Sequence, residues 1–262
     1  MEIIPFTDYN DFIHIDLNVI YACNMKCSYC YARKEEPWNT MMKKDILELS
    51  LRRIRGINKP MHINLLGGEP SMYPSLKYLL EELEKNDNVK LIKIYTNGIK
   101  DIRKYKSTKV KLVYTTHGKE AQSRTNLQDI LDKVEKDDYI TIMLEDDPEL
   151  LEFYEKVKDY PLVEGNYIQY NDVPDFREHP LSFLQNICKV DGKTVNQIQY
   201  NDVHTKGLKC HMNYFSVNYD GEVTNCLQRG HIKDFDFNDV YLDCPYEFCK
   251  QTCYMYQRKY DI

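Results

Sequence analysis

The stretch Phe12-Ile-His-Ile-Asp-Leu-Asn-Val-Ile-Tyr21-Ala-Cys23-Asn-Met-Lys-Cys27-Ser-Tyr29-Cys30 decides how the rest of the chain is read. Residues 12–21 alternate and are rich in β-branched types, which predicts a strand running directly into a cysteine loop. The loop spaces its cysteines C-x3-C-x2-C. Three thiolates from one short loop can hold three irons of a cubane [4Fe–4S] cluster and leave the fourth iron open to another ligand. A zinc site would instead need a fourth ligand, supplied by His14 or a remote cysteine. Spacing alone leaves both metals open.

Beyond the loop, helical and extended patterns alternate. Thr40 is placed to cap a helix through about Arg55, with Met42, Ile46, Leu47, Leu51 and Ile54 as its apolar stripe and Gly56 as its stop. Met61 to Leu66 reads as a second strand and leads into Gly67-Gly68-Glu69-Pro70. A helix carrying Leu76, Leu79, Leu80 and Leu83 follows, then a third strand from Lys90 to Tyr95 that ends in Thr96-Asn97-Gly98. A short basic helix leads to a fourth strand, Val110 to Thr116. Asn126 opens another helix, and Tyr139 to Leu144 is the fifth strand. Pro148 suits the first position of a helix over Glu149 to Lys158, where its missing N–H has no partner to lose. The sixth strand is expected at about 166–170. Such a succession demands parallel strands with right-handed crossovers, hence an α/β fold with a partial (βα)6 TIM-type barrel over residues 1–175. Sites in such sheets lie at strand C-terminal ends, where the unusual residues fall.

Residues 176–262 read differently. A helix is expected near Pro180 to Val190, with Cys188 as a buried core thiol. The hexapeptide Ile-Gln-Tyr-Asn-Asp-Val at 168–173 recurs at 198–203, too little for a solenoid. Tyr214 to Cys226 alternates around Asp220-Gly221, a hairpin signal. This part is therefore expected to be a small β-hairpin/helix module with its own cysteines.

Nine cysteines in 262 residues, all but Cys188 clustered at 23–30 and 210–253, suggest metal binding more than a disulfide framework. The N-terminal residues show neither a signal peptide nor a membrane anchor, so the expectation is that the chain stays in the cytoplasm. A net charge of −6 argues against generic nucleic-acid binding. The basic run Lys100 to Lys111 reads as a solvated surface, with a docking patch for an acidic partner as the alternative.

Together, Cys23-x3-Cys27-x-Tyr29-Cys30 after a first strand, Gly67-Gly68-Glu69-Pro70 after a second and Thr96-Asn97-Gly98 after a third resemble the radical S-adenosylmethionine (SAM) superfamily. The resemblance implies that Cys23, Cys27 and Cys30 hold a [4Fe–4S] cluster whose open iron chelates the amino and carboxylate groups of SAM. Reductive cleavage would then yield methionine and a 5′-deoxyadenosyl radical that abstracts a hydrogen atom from the substrate. It further implies SAM contacts from Tyr29, Gly67, Gly68, Glu69, Pro70, Thr96 and Asn97, with paired glycines allowing close backbone approach. By position, Thr116 and Arg124 would contact the SAM ribose and carboxylate. The segment Thr115-Thr116-His117-Gly118 departs from the family's usual Ser-Leu-Asp-Gly.

The C-terminal pattern Cys210-x15-Cys226, then Cys244-x4-Cys249-x3-Cys253, is similar to the auxiliary-cluster modules called SPASM and twitch. The similarity implies one auxiliary [4Fe–4S] cluster held by four of these five cysteines, Cys210 and Cys226 among them. The thiol left over among Cys244, Cys249 and Cys253 is a candidate hydrogen-atom donor; a structural zinc is the alternative. His204 and His211 read as structural residues near this module. The resemblance points to modification of a peptide by epimerisation or crosslinking, with dehydrogenation or rearrangement of a small polar metabolite or cofactor precursor as the alternative, and to a flavodoxin- or ferredoxin-type electron donor. A non-enzymatic, zinc-stabilised binding protein is the competing class.

Overall fold

The computed structural model describes residues 12–30, 39–121, 124–144, 147–160, 163–167, 189–190, 193–194, 209–225, 228–238, 240–243 and 260–261. In chain order the first elements are β1 (Ile13–Ile20), α1 (Lys44–Arg55), β2 (Met61–Gly67), α2 (Leu76–Glu84), β3 (Val89–Thr96), β4 (Val110–Thr115), α3 (Leu127–Leu131), β5 (Tyr139–Leu144), α4 (Pro148–Val157) and β6 (Val163–Tyr167). Strands β1 to β6 pair in sequence order, each parallel to the next. Alternation places Ile13, Ile15, Leu17, Met61, Ile63, Ile92, Ile94, Leu112 and Ile140 on one face of this sheet, where they share a core with Leu47, Leu51 and Ile54 of α1 and Leu76, Leu79 and Leu83 of α2. That buried face fixes the register, since a slip by one residue would send every one of these side chains to the other face.

The remaining strands are β7 (Lys189–Val190), β8 (Lys193–Thr194), β9 (Lys209–Met212), β10 (Tyr214–Val217), β11 (Glu222–Thr224), β12 (Arg229–His231), β13 (Val240–Asp243) and β14 (Tyr260–Asp261). The hairpin expected around Asp220-Gly221 is β10–β11, with Gly221 at φ 84° in its turn. It joins the main sheet: β10 pairs in parallel with β1, giving the order β12-β11-β10-β1-β2-β3-β4-β5-β6. Phe215 packs edge-on against Phe235 and Phe237 in the shared core. Strand β1 is therefore central, with neighbours on both sides, and is buried along its whole length. Strands β13, β9 and β14 form a separate sheet with β9 in the middle.

Three expectations about elements are corrected. Thr40 does not cap α1: the cap position is Lys43, with no side-chain bond, and Thr40 instead accepts the Tyr21 N–H through its carbonyl. The backbone of 40–42 thus runs beside the end of β1, and Met42 N–H donates to Val19 O at 2.8 Å. The basic helix shrinks to one 3₁₀ turn, Arg103–Tyr105, because the connection from Thr96 to Val110 leaves little room for a helix and a return. Strand β6 starts at Val163, earlier than expected, because its register is set by pairing with Ile140 of β5. Of the helix expected near 180–190, Lys189 and Val190 are strand, and the rest, with Cys188 and both hexapeptides, lies outside the described residues.

Candidate active site at the ends of the parallel strands

The cysteine loop leaves the C-terminal end of β1, and the next three strand ends are wired to it. The junction with β2 comes first. Gly67 has φ 118°, and a Cβ there would lie 2.1 Å from the Ile20 carbonyl oxygen; a Cβ on Gly68 would lie 2.2 Å from the Ala22 oxygen and 2.6 Å from that of Tyr21. Only glycine lets the two backbones approach this closely, and the approach is cemented by Gly68 N–H donating to Ile20 O at 2.5 Å and Glu69 N–H to Ala22 O at 2.9 Å. The glycine pair therefore fits against the base of the cysteine loop.

Glu69 is 1% exposed. One carboxylate oxygen accepts from Ser71 N–H at 3.0 Å and from the Thr96 hydroxyl at 2.9 Å, and the other accepts from Asn97 N–H at 2.8 Å. Burial pushes its pKa upward, and these donors oppose the shift. Pro70 opens the 3₁₀ turn that Glu69 caps. Asn97 reaches back to the loop, its Nδ2 donating to Asn24 Oδ1 at 2.7 Å and lying 3.9 Å from Cys23 Sγ. Fully buried Asn126 joins β3 to β4: its Nδ2 donates to Asn97 O at 2.6 Å and to Thr115 O at 2.8 Å, and its Oδ1 accepts from His117 N–H at 2.7 Å. His117 closes the circuit, with Nδ1 2.7 Å from the Tyr29 hydroxyl and 3.4 Å from Cys27 Sγ.

Cys23, Cys27 and Cys30 form no disulfide and pack with Met25, Tyr29, Ile99 and Ala121. Burial pushes the Cys23 thiol up to about 11, and the nearby negative charges of Glu69 and Cys30 push the same way. A buried carboxylate beside three thiols is a place that calls for positive charge, and soft thiolates supply the donor set of an iron–sulfur cluster. The loop residues fit such a group. His14 does not complete a zinc site here: it sits near the start of β1, about 20 Å along the strand from the loop at 3.3 Å per residue, and packs edge-on against His62.

Thr116 is buried at the end of β4, and its hydroxyl accepts from Met143 N–H at 3.0 Å. Arg124 is not drawn into the circuit; it pairs with Asp129, and its side chain is 52% exposed. Asn126 was legible only as a helix opener, and His117 only as a departure from a pattern. Neither the bonds of Asn126 to Asn97, Thr115 and His117 nor the reach of His117 to the cysteine loop carries a sequence signal, since both depend on how β3 and β4 are placed. Of the auxiliary cysteines, the backbone of Cys210 lies in β9 opposite Leu242 and Tyr260. Cys226, Cys244, Cys249, Cys253 and His204 lie outside the described residues.

The sheet face opposite the helices is polar. Asp16, Asn18, His62, Asn64 and Lys93 are all at most 8% exposed. Asp16 accepts from Asn64 Nδ2 at 2.8 Å and from the Tyr214 hydroxyl, Asn18 Nδ2 donates to Ser216 Oγ at 2.9 Å, and Lys93 Nζ lies 4.2 Å from the Tyr139 ring centroid. Closed barrels fill this position with branched apolar layers. Most of the basic run, by contrast, is paired within the chain: Lys100 donates to Ser71 O, Arg103 pairs with Asp101, Lys106 with Glu135, Asp137 and Asp138, Lys109 with the Glu84 and Asn86 carbonyls, and Lys111 with Asp137, while Lys104 is exposed over the Tyr105 ring.

Residues 17–117, from β1 through the His117 that closes the circuit, match the family model of the Radical SAM superfamily. It is this stretch of the chain that is similar to the radical SAM superfamily. Radical SAM enzymes carry a [4Fe–4S] cluster and use SAM (AdoMet). Among curated relatives, the GTP 3′,8-cyclase of Mannheimia succiniciproducens is 29% identical over 107 residues, covering 38% of this chain and 31% of the cyclase. The 7-carboxy-7-deazaguanine synthase of Haemophilus influenzae is 32% identical over 80 residues, covering 30% of this chain and 34% of the synthase. The chain thus matches about a third of the length of these two relatives. Among solved structures, native anSMEcpe with bound AdoMet superposes with a TM-score of 0.60 at 18% identity, over 85% of this chain and 78% of that one. Streptococcus suis SuiB bound to its precursor peptide SuiA gives 0.53 at 16% identity, over 86% and 64%. At these identities the likeness speaks for the fold alone. No described helix is long and apolar enough to cross a membrane.

Proposed function

We propose that this chain is a radical SAM enzyme that cleaves AdoMet reductively and abstracts a hydrogen atom from a peptide, which it epimerises or crosslinks. The observation that carries the AdoMet part is the circuit Ile20–Gly68–Glu69–Asn97–Asn126–His117, which leaves the cysteine loop at the end of β1 and returns to it at Tyr29 and Cys27. Cys23, Cys27 and Cys30 are the residues to hold the cluster, which when bound supplies the electron that splits the sulfonium of AdoMet. Glu69 and the adjoining Gly67 and Gly68 carbonyls offer negative charge to its ammonium group, and Tyr29, Thr96, Asn97 and Thr116 stand around the same mouth. For Arg124 to reach AdoMet it would have to leave Asp129.

An open sheet supports the peptide reading, because β6 and β12 end it without pairing to each other among the described residues. Two of the solved neighbours, SuiB with its precursor peptide and anSMEcpe with the Cp18Cys peptide, were captured with peptides. Residues 176–262 would then supply an auxiliary [4Fe–4S] cluster on four of Cys210, Cys226, Cys244, Cys249 and Cys253, with the fifth as hydrogen-atom donor, and a flavodoxin- or ferredoxin-type protein would supply electrons in the cytoplasm. The polar face around Asp16, Asn64 and Lys93 favours a second reading, a small polar metabolite or cofactor precursor, in line with the names of the curated relatives.

The test is anaerobic reconstitution with iron and sulfide, followed by AdoMet and dithionite. Wild type is expected to make 5′-deoxyadenosine, Cys27→Ala to make none, and Cys249→Ala to cleave AdoMet without forming product. Adding peptide and small-molecule fractions of deuterium-labelled cells separates the two substrate readings, since only the true substrate transfers deuterium into 5′-deoxyadenosine. Cleavage by Cys27→Ala at the wild-type rate would overturn the assignment of the loop.

A further inference from the structure

His117 is held at its backbone by a single residue and presents its ring to two others. Asn126 accepts its N–H and donates a backbone N–H to its carbonyl at 3.2 Å. With the backbone clamped in this way, Nδ1 faces both Tyr29 Oη at 2.7 Å and Cys27 Sγ at 3.4 Å, and the Tyr29 and His117 rings lie 22° from parallel. Cys27 is 7% exposed, so water competes little for its sulfur.

We propose that His117 is a positioning residue for the iron–sulfur cluster: its Nδ1–H donates to the Cys27 sulfur and to the Tyr29 oxygen, and so raises the cluster's reduction potential. This rests on the reading that Cys23, Cys27 and Cys30 carry the cluster. A ligating thiolate has lost its proton and can only accept. With Nδ1 unprotonated, its lone pair would face the sulfur, and two acceptors would meet at 3.4 Å. With the proton on Nδ1, sulfur and phenol oxygen both accept, and the Tyr29 hydroxyl proton turns to another acceptor. Metal ligation therefore selects the Nδ1–H tautomer. The N–H dipole then puts its positive end at a sulfur that gains negative charge on reduction, which stabilises the reduced cluster more than the oxidised one. The low local dielectric strengthens that interaction. The same bond ties the Tyr29 ring to Cys27, so the loop is held from its far side as Gly68 and Asn97 hold it from the near side.

The test is an EPR-monitored redox titration of the reconstituted full chain, following the signal that changes when AdoMet is added. His117→Phe is expected to keep its iron and shift that potential to more negative values. His117→Asn, whose Nδ2 takes the place of the imidazole Nδ1, should recover most of the shift, and Tyr29→Phe should move the potential less than His117→Phe. Should His117→Phe load no iron, His117→Leu, which has no donor, takes its place against His117→Asn. An unchanged potential in a loaded His117→Phe or His117→Leu protein overturns the inference while leaving the cluster assignment intact. A wild-type protein with no AdoMet-responsive signal overturns the assignment itself.

Discussion

Replacing Gly68 by alanine tests the junction that sets the cysteine loop on the sheet. The added Cβ would sit 2.2 Å from Ala22 O, 2.6 Å from Tyr21 O and 2.7 Å from the Ala22 carbonyl carbon, all backbone atoms that cannot swing aside. Ordinary contact begins at 3.4 Å, so the Ala22 peptide must retreat by more than 1 Å. That retreat stretches Gly68 N–H to Ile20 O and Glu69 N–H to Ala22 O. Overpacking at about 1–3 kcal/mol and two weakened hydrogen bonds at about 1 kcal/mol each put the loss near 3 kcal/mol, or roughly 10 °C in Tm for a chain of this size. The measurement is denaturant unfolding of reduced apoprotein beside iron content after reconstitution. Gly56→Ala is the control, because its Cβ would meet only Arg53 O at 3.3 Å and Arg52 O at 3.8 Å in a right-handed cap. A Gly68→Ala protein within about 0.5 kcal/mol of wild type and with full iron would refute the close-approach reasoning.

The pH dependence of stability separates two opposing groups. Burial pushes the Asp16 carboxyl up to about 6, outweighing its bonds from Tyr214 and Asn64, so its contribution is complete below about 4 and is lost as pH rises through 6. Burial pushes His62 down to about 4, helped by Lys93, and His117 down to about 4, so their contributions run the other way, growing as pH rises from 4 to 6.5. Asp16→Asn removes only the first, and its stability relative to wild type should increase by roughly 2–3 kcal/mol between pH 4 and pH 7; a flat or reversed difference in urea titrations would count against a buried carboxyl. Lys106→Ala strands Asp138, whose side chain is fully buried, and should cost about 3 kcal/mol, where a loss under 1 kcal/mol in the same assay would contradict the ion-pair geometry. Arg124→Ala removes only an exposed pair with Asp129, and its unfolding midpoint should stay within about 0.5 kcal/mol of wild type, a larger loss being inconsistent with that exposure.

Local pattern carried the sheet. Alternation in β1, the leucine stripe of α2 and Pro148 behind the Asp147 cap are properties of consecutive residues, and all are found where the pattern puts them. The cysteine spacing and the Gly67–Pro70 and Thr96–Gly98 turns were legible for the same reason. The glycine pair's partner was not, because the backbone it approaches belongs to another strand. The addition of β10 to the edge of β1 was equally hidden: Tyr214–Val217 reads as a hairpin strand whichever sheet it joins, and only the burial of β1 on both sides distinguishes the outcomes. Thr40 failed as a cap because its carbonyl had a tertiary partner in Tyr21. The roles of Asn126 and His117 required β3 and β4 to be side by side before either side chain had anything to reach.

The most direct measurement is the EPR spectrum of the anaerobically reconstituted, dithionite-reduced protein before and after AdoMet, with wild type set against Cys27→Ala. A cluster on Cys23, Cys27 and Cys30 with an open iron predicts a [4Fe–4S] signal in wild type that changes on AdoMet addition, accompanied by 5′-deoxyadenosine, and the loss of that response in Cys27→Ala. A colourless wild-type protein that retains zinc through reconstitution, or an AdoMet response that survives in Cys27→Ala, would contradict it.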